Sequence, residues 1–203
     1  FDRSIDSSMR SGDPSEQHHQ SVDAIARMFG ADEQSKDRKT QLLESRKAMD
    51  ESGDMADMVG VRLQEVVVDG VPAEWVFVEG ADPQKRLLYI HGGGFMMGSP
   101  RSHRVITTTL SRVTNASVLA IDYRLTPENK RVACIEDCQA AYKWILDNGP
   151  DGQAGAPSSF FIAGDSAGGN LTLTTIAWAR DEGLPVVNAA VALSPLTDST
   201  FSS

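Results

Sequence analysis

From Val61 onward, short runs rich in β-branched residues alternate with segments of helical periodicity, and few architectures accommodate that pattern. Val61 to Val68 and Ala73 to Val78 read as strands joined by an Asp69-Gly70 hairpin turn, and Arg86 to Ile90 as a third strand. Then come a helix over Arg104 to Val113, a strand over Ser117 to Ile121, and a helix over Ile135 to Leu146. The strand-like Ser159 to Ala163, a helix over Asn170 to Arg180 and a strand over Ala189 to Leu193 follow. Strand-helix alternation predicts an α/β domain with a mostly parallel sheet and helices on both faces. Ahead of it, residues 1–15 are polar, while Ser15 to Phe29 and Lys36 to Met49 carry apolar residues at helical spacing. These give a division into N-terminal helices (1–55) and an α/β domain (56–203), with Gly53 to Gly60 breaking the helical pattern. The N-terminal helices either lie over a pocket and shape it or simply cover core surface.

Chemistry concentrates in two glycine-bearing loops, each placed after a predicted strand. Gly164-Asp-Ser-Ala-Gly-Gly169 is a GxSxG sequence that leaves one strand and opens a helix. That context makes Ser166 a candidate nucleophile on a sharp turn, with Gly164 and Gly168 letting neighbouring backbone pass without a Cβ collision. The amide of Ala167, at the helix N-terminus, is placed to receive developing negative charge. His91-Gly-Gly-Gly-Phe95 follows Leu87 to Ile90, and Gly93 and Gly94 there offer the remaining oxyanion amides. Phe95, Met96 and Met97 are candidate substrate-pocket lining, although core packing explains a methionine equally well. A nucleotide site fails on spacing: Gly92, Gly93, Gly94 and Gly98 do not form GxGxxG, and neither loop ends in GK[ST].

Together with Asp122-Tyr-Arg-Leu-Thr-Pro-Glu128, these motifs resemble the signatures of the bacterial hormone-sensitive-lipase-like esterases, a branch of the α/β-hydrolase superfamily. The resemblance runs from about residue 60 to the C-terminus. It implies an α/β-hydrolase fold with an N-terminal helical cap and a serine carboxylester hydrolase acting on short to medium acyl esters. Ser166 becomes the nucleophile and Gly93, Gly94 and Ala167 the oxyanion hole. His91 inherits a structural part in its loop, and no cofactor is implied. By analogy with relatives, a homodimer is an admissible assembly. The chain departs from the family where Glu128 leads into Asn129-Lys-Arg-Val-Ala133 rather than a Pro-aromatic-Pro stretch.

The resemblance also implies a triad acid and histidine downstream of the serine. His18, His19, His91 and His103 all precede Ser166, and Asp198 matches a position after the sixth strand rather than the acid. The expectation is therefore a chain carrying roughly the first two thirds of an esterase, its C-terminal part and triad partners missing. The alternative is a hydrolase-like binding protein without catalysis. His103 reads as a surface residue at the start of its helix, Asp122 and Arg124 as a structural ion pair, and Asp165 as an orienting or surface carboxylate.

Composition narrows the function classes. A net charge of -9 argues against nucleic-acid partners, which need clustered Lys and Arg. No apolar run approaches the length of a spanning helix, so membrane insertion is not expected. Cys134 and Cys138 lie four apart in a predicted helix, where they share a face without bridging. They read as reduced, partly buried thiols of a cytoplasmic protein. Two cysteines without further ligands do not make a metal site.

Overall fold

The computed structural model describes residues 37–198, together with residues 13, 15, 16 and 19. The predicted helix over Ser15 to Phe29 lies outside the described residues. The second cap helix is α1 (Arg38–Ser52), followed by a 3-10 turn at Gly53–Met55. Asp37 caps α1, its carboxylate accepting from the amides of Lys39 and Thr40.

Six strands form one sheet: β1 (Val61–Val68), β2 (Val71–Val78), β3 (Asp82–Ile90), β4 (Ala116–Ile121), β5 (Ser159–Asp165) and β6 (Ala189–Leu193). Their spatial order is β1-β2-β4-β3-β5-β6. The hairpin turn is where the sequence predicts it, with Asp69 and Gly70 both at positive φ. β1 pairs antiparallel with β2, β2 antiparallel with β4, and β4, β3, β5 and β6 run parallel. The helices α2 (Arg104–Thr114), α3 (Arg131–Asp147) and α4 (Ser166–Asp181) fall between the strands, as the alternation requires. β3 begins earlier than its apolar run suggests, because polar Asp82 to Lys85 still pair along its neighbours.

Side chains alternate across the sheet with period two. On one face Trp75, Leu88, Ile90, Leu119, Ile121 and Ile162 pack with Cys138, Tyr142 and Ile145 of α3 and Leu171 of α4. On the other, Val76, Leu87, Tyr89, Val118 and Ala163 pack against Ile106 and Leu110 of α2. Each fully buried Leu or Ile contributes about 1.5–3 kcal/mol, and burial on both faces explains the nearly continuous apolar runs of β3 and β4. Cys134 and Cys138 are buried in this core and unbridged, more deeply than their sequence context suggests. No helix among the described residues is long and apolar enough to cross a membrane.

Candidate active site

β3 and β5 are parallel neighbours in register, Ile90 opposite Gly164. β3 ends at Ile90 and β5 at Asp165, so His91-Gly92-Gly93-Gly94 and Ser166 emerge side by side at the carboxyl end of the sheet, where open α/β sheets place their sites.

Ser166 is exposed and holds φ 52, the left-handed region that a non-glycine residue adopts at a cost. Its neighbours are packed too tightly for any larger residue. A Cβ on Gly164 would lie 2.6 Å from both the Ile90 carbonyl and Thr172 Oγ1, and one on Gly168 would collide with the carbonyls of Ile90 and His91. The buried stripe Ala167, Leu171, Thr175 and Ala179 then seats α4 on the core. Ala167 lies in the first turn, where an amide has no intrahelical acceptor. The Ser166 carbonyl accepts from the amide of Leu196 at 2.9 Å, fixing the elbow from the segment after β6.

The oxyanion-type loop turns through three successive positive φ angles, 111 at Gly93, 63 at Gly94 and 64 at Phe95; glycine adopts these freely, so the strain is confined to Phe95. A Cβ on Gly93 would collide with the Met97 carbonyl. Among the described residues the amides of Gly93 and Gly94 have no protein acceptor, which leaves them able to bind an oxygen. Phe95 is buried in the core cluster beneath the Arg131 guanidinium, 4.0 Å from its ring centroid. Met96 is 44% exposed and Met97 half-buried.

Beneath the two loops lies a cluster that the sequence did not announce. Asp165 Oδ1 accepts from the Gly92 amide at 2.9 Å and the Tyr89 hydroxyl at 2.7 Å, while His103 Nε2 lies 3.5 Å away. Asp165 is therefore the orienting carboxylate of the two readings offered, linking elbow to glycine loop. Burial favours its neutral form, but His103, the Tyr89 hydroxyl and the Gly92 amide outweigh that and hold its pKa below the ordinary carboxylate value. Burial and the adjacent carboxylate drive the Tyr89 phenol up, so it stays protonated and donates.

His103 corrects an expectation. It does begin α2, but it is 5% exposed rather than a surface residue. Its ring sits 5.4 Å from that of His91, and Nδ1 contacts Ser102 Oγ at 2.8 Å. The chain bends inward at Ser99 to Ser102 and carries the imidazole under the glycine loop. His91 keeps its structural part: it stacks on Tyr123 at 4.2 Å and its Nδ1–H donates to the Gly92 carbonyl at 2.7 Å. Burial, then repulsion from His103, pushes its pKa down to about 3, so it is neutral. The Tyr123 hydroxyl donates to the His91 carbonyl at 2.8 Å.

The Asp122–Arg124 pair is also corrected. Arg124 turns to Asp137 of α3, with Nη2 at 2.7 Å and its own amide at 2.8 Å from that carboxylate. Asp122, one residue past the end of β4, instead lines a cavity of about 530 Å³ bordered by Glu65, Pro72, Glu74 and Arg104. Burial there, with Asp50 nearby, raises its pKa.

No imidazole among the described residues is hydrogen-bonded to Ser166. None of the described residues forms a group of three or more His, Cys, Asp or Glu able to hold a metal ion.

A family model described as the alpha/beta hydrolase fold matches residues 87–203. The chain is 39% identical over 152 residues to an acetyl-hydrolase of Streptomyces hygroscopicus, covering 74% of this chain and 49% of that protein. It is 40% identical over 121 residues to the carboxylesterase/phospholipase LipF of Mycobacterium tuberculosis, covering 59% of this chain and 31% of that one. In three dimensions it is similar to an esterase from the bacterial hormone-sensitive lipase family, with TM-score 0.79, 34% identity, and coverage of 92% of this chain and 60% of the other. The chain thus spans about half, or less, of the length of these curated relatives. The chain belongs to the α/β-hydrolase fold family, among the bacterial hormone-sensitive-lipase-like esterases.

Proposed function

We propose that this chain carries the nucleophile and oxyanion hole of a serine carboxylester hydrolase. The observation that supports this most is Ser166: exposed, at φ 52 on a strand-to-helix turn, and adjacent to a loop with unused amides. In this reading Ser166 Oγ attacks the ester carbonyl while a histidine removes its proton. The carbonyl oxygen becomes an oxyanion held by the amides of Gly93, Gly94 and Ala167. Collapse of that intermediate breaks the C–O bond, the proton passes to the departing alcohol, and an acyl-enzyme remains on Ser166. Water then attacks the acyl carbon, assisted by the same base, and releases the carboxylic acid.

The histidine and the acid that orients it come, in this proposal, from sequence outside these 203 residues; the greater length of the relatives supports that. Short to medium acyl esters are the proposed substrates, with Phe95, Met96 and Met97 bordering the acyl or alcohol pocket. A cytoplasmic setting, with Cys134 and Cys138 kept as thiols, is part of the same proposal.

Intact-mass analysis of the whole protein with a fluorophosphonate ester, and of its Ser166→Ala variant, tests the assignment. One adduct on Ser166, with hydrolysis of p-nitrophenyl esters lost in the variant, is the expected result. Ester turnover retained by Ser166→Ala would overturn it. Saturable ester binding with no adduct would instead make the chain a hydrolase-like binding protein.

A further inference from the structure

No side chain of helix α1 is fully buried, although Leu42 and Met49 are partly so. One guanidinium ties it directly to the site. Arg46 Nε donates to the Met96 carbonyl at 2.7 Å and Nη2 to the Thr126 carbonyl at 3.0 Å. Nη1 and Nη2 grip the two carboxylate oxygens of Glu128 at 2.9 and 2.8 Å. Two further links from this segment, Asp50 to Ser99 and Asp54 to Arg101, reach only residues beyond the glycine loop.

Gly93 and Gly94 take positive φ freely, so the aim of their amides is left to be set from outside, while the positive φ of Phe95 persists only where its surroundings over-determine it. Three restraints do so. The Gly93 carbonyl accepts from the amides of Met96 and Met97, at 3.1 and 2.9 Å. The Phe95 carbonyl accepts from Thr126, through its amide at 2.9 Å and its hydroxyl at 3.1 Å. The Met96 carbonyl is held by Arg46. Since Arg46 also holds the Thr126 carbonyl, one side chain fixes both the loop and the turn that supports it. A planar fork of donors can do this, whereas an ammonium cannot span the same acceptors. The Glu128 carboxylate, pulled down to about 2 chiefly by its hydrogen bonds with Arg46, stays charged and keeps the fork aligned.

We propose that Arg46 is a positioning residue for the oxyanion loop: its grip on the Met96 and Thr126 carbonyls sets the aim of the Gly93 and Gly94 amides and makes the seating of α1 a condition of turnover. This rests on the esterase reading above. Arg46 acts through backbone and touches no reacting atom.

The test compares Arg46→Ala, Arg46→Lys and the charge swap Arg46→Glu/Glu128→Arg in the whole protein. Arg62→Ala, which breaks the exposed pair with Asp151, serves as control. Removing one oxyanion donor outright costs about a hundredfold or more in kcat, so mis-aiming the loop should cost about tenfold. Arg46→Ala is expected to lose that factor with KM within about twofold; Lys should recover little, and Arg62→Ala should match wild type. The swap re-forms an ion pair, so it should restore thermal stability without restoring kcat, because glutamate cannot donate to the Met96 carbonyl. Wild-type kcat in Arg46→Ala, or recovery of kcat by the swap, would reduce Arg46 to an ordinary surface pair and overturn the proposal. Amide exchange at Met96 and Met97 gives a readout independent of turnover. Arg46→Ala should accelerate it, and unchanged exchange would overturn the proposal even if the wild-type protein hydrolysed no ester, a result that would separately remove the esterase reading.

Discussion

The nucleophile elbow and the glycine loop leave adjacent strands and carry comparable backbone strain, but they are held in opposite ways. The elbow is held by close packing: Gly164 and Gly168 fit against the backbone of Ile90 and His91, and the helix that Ser166 opens is seated by its buried stripe. The glycine loop borrows its shape. Asp165, Tyr123, Thr126 and Arg46 come from three other segments of the chain, and each fixes a single loop amide or carbonyl. Strain stored against a close-packed core is secured collectively, whereas strain held by individual hydrogen bonds can be released one bond at a time.

The sharpest way to break the contrast is Gly168→Ala. Its methyl would meet two carbonyls with no room to retreat, so a loss of about 3 kcal/mol or failure to fold is expected by thermal melting. A soluble variant of wild-type melting temperature would show that the elbow is not close-packed. Asp165→Asn comes next, because the amide keeps the size but loses the charge that gathers Tyr89, Gly92 and His103. A fall in kcat of about tenfold to thirtyfold, with fluorophosphonate labelling slowed in parallel, is expected.

Acidification probes the buried floor of the loop. With a pKa near 3 in the fold against about 6.5 unfolded, His91 takes up its proton mainly when the chain unfolds. Its contribution to stability is complete above about pH 6.5 and declines toward pH 3, by no more than about 1.4 kcal/mol per pH unit. Asp165 adds to the loss below the ordinary carboxylate range, whereas the raised pKa of Asp122 opposes it. His91→Asn should flatten the melting profile between pH 6 and pH 4, and an unchanged slope would assign the acid sensitivity elsewhere. The smallest effect belongs to Thr126→Val, which removes one of two donors to the Phe95 carbonyl. A loss of about 1 kcal/mol in stability and less than about threefold in kcat is expected; a larger kinetic loss would mean that the loop lacks redundancy.

The same contrast explains what could be read in advance. Gly164, Ser166 and Gly168 lie within one turn of each other, so their geometry is a local consequence of residue type and strand-helix context. The hairpin at Asp69-Gly70 and the parallel order were readable for the same reason, from turn chemistry and period. The burial of His103, the partnership of Arg124 with Asp137 and the grip of Arg46 were not, because each depends on where the sheet brings distant segments. One signal was present: an aromatic residue between two charges at the end of β4 was a candidate to turn inward, and Tyr123 does.

Sheet order has a further consequence, for time rather than structure. Gly92 and Asp165 are 73 residues apart in sequence, Phe95 and Thr126 31 apart, and Arg46 and Glu128 82 apart. Contacts of such separation form only after the entropy of closing long loops has been overcome. β3 must find β5 before the two halves of the site meet, and the glycine loop takes its shape only after that. During refolding, chains should regain helical and sheet signal before Ser166 regains reactivity, so a serine-directed probe would time the end of folding rather than its onset.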